Sequence, residues 1–379
     1  MDKRIYLCLA HMSGKEQDFI KEAFDTNWVV PLGPNVNAFE KGLESFLTQD
    51  KKVVALSAGT AAIHLALIQL GVQSGDEVIC QSFTFCASAN PVIYVGAKPI
   101  FVDSEKETWN MSPVLLEEAI KDRIVKTGKR PKAIIPVHLY GMPAKINEIC
   151  AIAAKYEIPV IEDAAEALGS EYKEQKCGTF GAFGALSFNG NKMITTSGGG
   201  ALVCPNEESK KKIMFYATQA REDFPYYQHN EIGYNYRMSN ICAGIGCGQL
   251  TVLEEHITHH RHVHALYEEA FANVNGIELK CNPSDNFHSN YWLSTILIDK
   301  DITGFGYEEL RVSLDIKGIE TRPLWKPMHL QPVFANNPAY VDGTSENLFS
   351  KGLCIPSGPY VTYEDVTYIV SAIKACIKK

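Results

Sequence analysis

Eleven cysteines lie between Cys8 and Cys376, yet no two of them stand in a C-x-x-C spacing. An odd and scattered set argues against a disulfide framework or a zinc ribbon, and reads as the reduced thiols of a cytoplasmic protein. Long apolar runs are missing too, so nothing in the chain is read as a membrane span. The N-terminal stretch MDKRIYLCLAHMSG has a basic start, but its apolar run is short, ends at His11 and lacks an A-x-A site. It is not read as a signal peptide. Positive charge is in deficit: 36 Lys and Arg against 44 Asp and Glu leave a formal charge of −8. That balance argues against nucleic acid or an anionic membrane as the main partner. An anionic substrate must instead meet a local cluster of cations or helix ends. Internal repeats and low-complexity tracts are absent.

What is present is a soluble globular composition, 46% apolar and 21% charged. A chain of 379 residues is long for a single core and suggests two domains, taken as 1–255 and 256–379. Between residues 50 and 204 short apolar runs alternate with helix-period segments. The expected strands are Val53–Leu56, Glu77–Cys80, Pro99–Val102, Ala133–Val137, Pro159–Glu162, Ala185–Phe188 and Gly200–Val203. Helical spacing predicts Thr60–Leu70, Pro113–Ile120 and Ile146–Tyr156 between them. Such alternation implies an α/β fold, with a mostly parallel sheet covered on both faces and ligands at the carboxyl ends of its strands.

Two further helices precede the sheet, the second carrying Val36, Phe39, Leu43, Phe46 and Leu47 on one face. A long helical stretch, about Ser239–Ala272, leads to a smaller α+β unit. That unit has one clear strand (Tyr291–Ile298), a helix (Tyr307–Lys317), a Pro-rich region and a final helix (Tyr363–Lys374).

Chemistry concentrates in AFGALSFNGNKMITTSGGG, residues 182–200. Lys192, on a short turn past an apolar strand, is placed to hold an aldehyde cofactor as an imine. Upstream, Asp163 closes the strand Ile158-Pro-Val-Ile-Glu-Asp, where a carboxylate is costly to hold ionised without a partner. A protonated pyridine nitrogen is such a partner, and the pair is what pyridoxal 5'-phosphate requires. Helix capping is the plainer reading of Asp163 alone, and a solvated charge that of Lys192 alone. Alternation sends Glu162 to the opposite face, whereas Glu166 can reach the cofactor ring or its 3-hydroxyl.

The turn Ser57-Ala-Gly-Thr opens a helix near Thr60, and the free N–H groups there suit a phosphate, with Gly59 beside them. Ser187 can donate to the same group, and Gly198–Gly200 are expected to let the backbone turn tightly behind the lysine. Of the two aromatics in Ser82-Phe-Thr-Phe-Cys-Ala-Ser, one belongs in the core, and Phe85 is the candidate to stack on a pyridine ring. Five histidines, His256, His259, His260, His262 and His264, crowd one helix. Their i, i+4 pairs could take up a metal adventitiously, but no acidic or cysteine ligand clearly completes a site. The reading is a solvated helix face and no metal.

Taken together, SAGTAAIHLAL, SFTFCASA, PVHLYG, IEDAAEALGS, SFNGNKMITTSGGG, GYNYRMSNICAGIGCGQL and TRPLWKPMH resemble the DegT/DnrJ/EryC1/StrS family of sugar aminotransferases, in order and over nearly the whole chain. The resemblance implies the aspartate aminotransferase-like (fold type I) architecture with a smaller α+β C-terminal domain, pyridoxal phosphate, and a homodimer with shared active sites. It also implies transfer of an amino group, usually from L-glutamate, to a keto group of a nucleotide-linked sugar. Lys192 matches the Schiff-base lysine, Asp163 its pyridinium partner, and Phe85 the stacking ring. Thr60 and Ser187 match phosphate contacts. Asn235 matches an asparagine reaching the phosphate from the partner subunit, with Arg237 nearby. Arg322, Trp325 and His329 fall in a region that approaches the sugar nucleotide.

Glu166 departs from the glutamine of many members, adding a negative charge that a cation or proton must offset. Members that remove a C3 hydroxyl carry histidine where this chain has Lys192, so transamination is implied. The motif combination resembles most the enzymes that aminate C4 of UDP-2-acetamido-2,6-dideoxy-4-keto-hexoses, in bacillosamine-type sugar synthesis. The alternatives are C4 or C3 amination of a GDP- or dTDP-linked keto sugar, or a pyridoxal phosphate-binding protein without turnover.

Overall fold

The computed structural model describes residues 4–48 and 50–377. The signal-peptide question and the outer limits of the two expected domains touch residues 1–3 and 378–379, outside the described residues. The apolar runs pair into two four-stranded sets. In one, Glu77–Gln81 lies parallel between Lys98–Val102 and Ala133–Ile135, and Ala339–Tyr340 returns to pair parallel with Lys98–Val102. The other runs Lys52–Leu56, Gly200–Cys204, Phe183–Ser187, Ile161–Asp163. Parallel bridges Ile134↔Val160 and Val137↔Asp163 join the two sets. These strands are buried almost throughout, as near-continuous Val/Ile/Leu runs require when helices cover both faces.

The α/β reading therefore holds, with one strand out of step. Gly200–Cys204 is antiparallel to both neighbours. Residues 188–199 connect it to Phe183–Ser187 through bends and no crossover helix, so the chain can only fold back beside itself. Strand ends moved by one to three residues. Asp163, expected to close its strand, is the last residue of Ile161–Asp163. Helix Pro113–Thr127 runs a further two turns past Ile120 before Gly128 caps it in the left-handed region.

The long helical stretch divides into Asn240–Leu250 and Leu253–Phe271. The second of these crosses between units. Leu253 and Ile257 pack into the core under the sheet, while Val263, Tyr267 and Phe271 join a separate cluster with Ile296, Leu314, Leu353 and Ile369. The 255/256 boundary expected from sequence falls inside this helix. The smaller unit is an antiparallel sheet of Ile277–Leu279, Ser294–Ile298, Gly352–Ile355 and Arg322–Pro323, covered by Tyr307–Ile316 and Tyr363–Lys374. Its expected strand begins at Ser294 and not Tyr291, because Tyr291 sits at φ 48° and cannot continue a ladder.

Two local expectations are corrected. His256, His260 and His264 are buried, so the histidine row is no solvated face, although His262 is exposed. Carbonyl and hydroxyl partners make this tolerable. Nδ1 of His256 meets the Met193 carbonyl at 3.2 Å, that of His260 the Tyr291 carbonyl at 3.1 Å, and that of His264 Ser294 Oγ at 3.1 Å. Burial holds His260 and His264 neutral, pushed down to about 3. Gly198–Gly200 are not in the left-handed region; the strained residue of that turn is Ser197, at φ 72°. Gly200 is required for close approach instead, since a Cβ there would sit 2.3 Å from the Gly59 nitrogen. All eleven cysteines are free, and among the described residues no helix is long and apolar enough to cross a membrane.

Candidate active site

The bent segment between Phe183–Ser187 and Gly200–Cys204 presents Lys192 at the carboxyl end of the sheet, where a turn ties its N–H to the Asn189 carbonyl at 2.9 Å. Its Nζ donates to Glu166 Oε1 at 3.1 Å and lies 3.9 Å from the centroid of the Trp292 ring. Trp292 in turn donates its indole N–H to the Asn191 carbonyl at 2.6 Å. The smaller unit thus pins the loop that carries the amine. Burial pushes the Glu166 carboxyl up to about 7, against the pull of Lys192. Its second oxygen accepts from the backbone N–H of Tyr140 at 2.7 Å. The extra acid at this position is therefore offset in two ways, by the adjacent amine and by a raised proton affinity.

Asp163 is held from the strand end by short-range donors. Ser88 Oγ donates to Oδ2 at 2.6 Å, and the backbone N–H of Ala165 donates to Oδ1 at 3.2 Å. Thr84 Oγ1, 2.7 Å from Ser88 Oγ, fixes the direction of that hydroxyl. The two donors fix the orientation of the buried carboxylate at the cavity, where it can accept a further hydrogen bond from a cationic ring nitrogen. Strand alternation sends Glu162 the other way, where it accepts from the N–H groups of Gly178, Phe180 and Gly181 and from His138.

Helix Gly59–Gln69 begins after Ala58, so no side chain caps it and its first N–H groups remain available. The helix start is packed directly on the strand end: a Cβ on Gly59 would lie 3.3 Å from both the Leu186 carbonyl and Ser187 Cβ. Close backbone approach of this kind makes a cradle sized for a phosphate.

Lys192, Asp163, Glu166, Gly59, Thr60, Phe85 and Ser187 all line one cavity of about 630 Å³. Phe85 is 56% exposed there, while Phe83 is fully buried. Arg322 and Trp325 also line the cavity, Trp325 edging against Phe85 at 5.6 Å between ring centres. Three of the expected residues lie elsewhere. Asn235 is exposed and outside this cavity. Arg237 turns inward, 3.7 Å from Glu40 and against the Met214 sulfur. His329 is a strut between Ser82 Oγ at 2.6 Å and Glu346 at 3.1 Å.

Residues missed by sequence reasoning complete the walls. Trp292 and the N-terminal Leu7, Cys8 and Leu9 gave no local signal, because only the tertiary fold brings them in. Ser88 and Tyr140 stood inside motifs already singled out. Tyr140, at φ 54°, accepts the Trp325 N–H on its hydroxyl at 2.9 Å.

Known proteins are similar to this chain over nearly its whole length. The model of the DegT/DnrJ/EryC1/StrS aminotransferase family matches residues 11–374. The chain belongs to this family. EpsN of Bacillus subtilis (strain 168), provisionally named a pyridoxal phosphate-dependent aminotransferase, is 47% identical over 377 residues, 98% of this chain and 96% of EpsN. GDP-perosamine synthase of Escherichia coli O157:H7 is 38% identical, covering 96% of this chain and 95% of that one. The crystal structure of a DegT DnrJ EryC1 StrS aminotransferase from Brucella abortus superposes with a TM-score of 0.90, at 30% identity over 97% of this chain and 96% of that one.

The protein is thus a pyridoxal phosphate-dependent sugar aminotransferase with the aspartate aminotransferase-like fold. The donor set fits that cofactor: a half-buried amine, a carboxylate held by two donors, an exposed aromatic face, and an uncapped helix start packed closely on the strand end.

Proposed function

We propose that the enzyme moves an amino group from L-glutamate to C4 of a UDP-linked 2-acetamido-2,6-dideoxy-4-keto-hexose. The observation that carries the transfer chemistry is the convergence of Lys192, Glu166 and Asp163 on one cavity. When bound, the cofactor supplies an electron sink for the carbon that loses its proton. Lys192 Nζ would hold the cofactor's aldehyde and, as a free amine, would move protons at the donor's carbon and at the sugar's. Asp163 would pair with the pyridine nitrogen, and Phe85 would stack on the ring. The start of helix Gly59–Gln69, with Thr60 and Ser187, takes the phosphate. Arg322, exposed at the cavity wall, is free to swing from Glu320 (2.7 Å) to a nucleotide diphosphate.

The nucleotide and the position rest on the combination of EDAAEALGS, NGNKMITTSGGG and ETRPLWKPMH. Likeness to a GDP-perosamine synthase favours a second reading, amination of a GDP-linked keto sugar. A homodimer is supported by the exposed apolar row Trp28, Val29, Val30 and Leu32, and by Asn235, which is exposed and does not line its own chain's cavity.

Purified enzyme should be given L-glutamate and a panel of UDP-, GDP- and dTDP-linked 4-keto-6-deoxy sugars, with NMR locating the new amine. Preference for the UDP-linked acetamido sugar and an amine at C4 are expected. Preference for a GDP or dTDP substrate, or an amine at C3, overturns the assignment.

A further inference from the structure

Two histidines of the buried row, His260 and His264, leave Nε2 without a partner, and beside His264 stand other metal-ligating groups. His264 is 2% exposed, and its Nδ1 is engaged by Ser294 Oγ at 3.1 Å, but its Nε2 has no hydrogen-bond partner. Four residues on, one helical turn away, stands Glu268. Cys281, just past the strand Ile277–Leu279, completes a cluster with them. A ring nitrogen of His264, a Glu268 carboxylate oxygen and Cys281 Sγ lie within 4.8 Å of one another.

We propose that His264, Glu268 and Cys281 form a binding site for one zinc-type divalent ion, apart from the cofactor cavity. Each donor suits that chemistry. Imidazole, carboxylate and thiolate are borderline-to-soft ligands at which zinc outcompetes magnesium or calcium. Ser294 Oγ, on Ser294–Ile298, engages Nδ1 of the imidazole, as outer partners of metal-bound histidines do, and Nε2 is unpartnered and can serve as the ligand. The Tyr291 ring stacks flat on the imidazole, 3.5 Å between centroids, which holds its plane.

A tetrahedral zinc with bonds of about 2.0–2.3 Å places its ligand atoms about 3.4–3.6 Å apart. The cluster must therefore tighten by about 1 Å, which the exposed Glu268 side chain can supply. Lys280, next to Cys281, does not compete for the space: its ammonium is turned to the Glu107 carbonyl and the Trp109 ring. Binding releases one proton, from the Cys281 thiol to solvent, as the sulfur–metal bond forms. Three protein ligands leave a fourth position for water. The ion would tie the helix Leu253–Phe271 to the chain just past the strand Ile277–Leu279.

The test is zinc content by elemental analysis of the holoenzyme after dialysis against micromolar free zinc. One equivalent per chain is expected, with a zinc-edge absorption spectrum showing one sulfur among nitrogen and oxygen ligands. Cys281→Ser and Glu268→Gln, both outside the cofactor cavity, should keep aminotransferase activity while losing affinity by about 10–100-fold or more. Well under one equivalent in the wild type overturns the site. Zinc retained equally by both variants also overturns it, since the ion would then sit on other thiols or histidines.

Discussion

Glu166 gives the sharpest perturbation, because its raised proton affinity makes an opposite prediction to that of an ordinary carboxylate. Most acids in folded proteins are stabilised in their ionised form, and stability falls as pH drops through their folded pKa. Here burial raises the folded value from 4.5 to about 7. Between those two values the unfolded chain has lost the proton while the folded chain keeps it. Stability from this group is full below 4.5 and is lost as pH rises through 7. At about 1.4 kcal/mol per tenfold in proton affinity, the whole span is worth about 3 kcal/mol, and the part between pH 5 and 8 about 2–3 kcal/mol.

Glu166→Gln removes the titration while its carbonyl can still accept from the Tyr140 N–H. The pull of Lys192 (3.1 Å) on the ionised carboxylate is already contained in the value of about 7, so it adds no separate term to the pH dependence. Urea unfolding of the cofactor-free protein at fixed concentration should therefore show the variant gaining on the wild type by about 2–3 kcal/mol from pH 5 to pH 8. A difference that is flat with pH, or that moves the other way, would refute the argument that burial dominates over the lysine.

Lys192→Ala should abolish the visible absorbance of bound cofactor and lower transamination by about 10²–10⁴-fold or more, read by spectrophotometry and product assay. Ser88→Ala leaves Asp163 Oδ2 short of its 2.6 Å donor, and should cost about 1–3 kcal/mol in denaturant unfolding with weakened cofactor retention on dialysis. Gly200→Ala forces a Cβ to 2.3 Å from the Gly59 nitrogen; a loss of about 1–3 kcal/mol and a higher cofactor Kd are expected, and wild-type values for both would remove the close-approach argument.

Periodicity and burial made the sheet legible because its strands are short apolar runs with helices between them. Asp163, Ser187 and Lys192 could be found because each stands at the end or just beyond such a run. The antiparallel strand Gly200–Cys204 was not legible, since an apolar run of five carries no direction. Nor was the burial of the histidine row: spacing alone cannot tell a solvated stripe from one whose ring nitrogens find carbonyls on neighbouring loops. Gly200 was marked as special for the wrong reason. A glycine run signals either freedom in φ or room for a neighbour, and only the contact with Gly59 shows which. Trp292 lay beyond reach, since its partner is a hundred residues upstream in sequence and adjacent only in the fold.

The charges along the cavity explain why the proposed homodimer matters to the chemistry. Asp163, Glu166 and Glu320 line it against only Lys192 and Arg322, and each of those cations already has an acid beside it. Such a wall is poorly suited to a cofactor phosphate together with a nucleotide diphosphate. The uncapped helix start at Gly59 can take the first through backbone N–H groups without any cation. The diphosphate has no comparable cradle, and drawing Arg322 away leaves Glu320 bare. A second copy contributing polar groups such as Asn235, which is wasted on its own chain's surface, relieves that shortage. On this argument the proposed shared active site would be an electrostatic requirement of an acidic chain handling an anionic substrate.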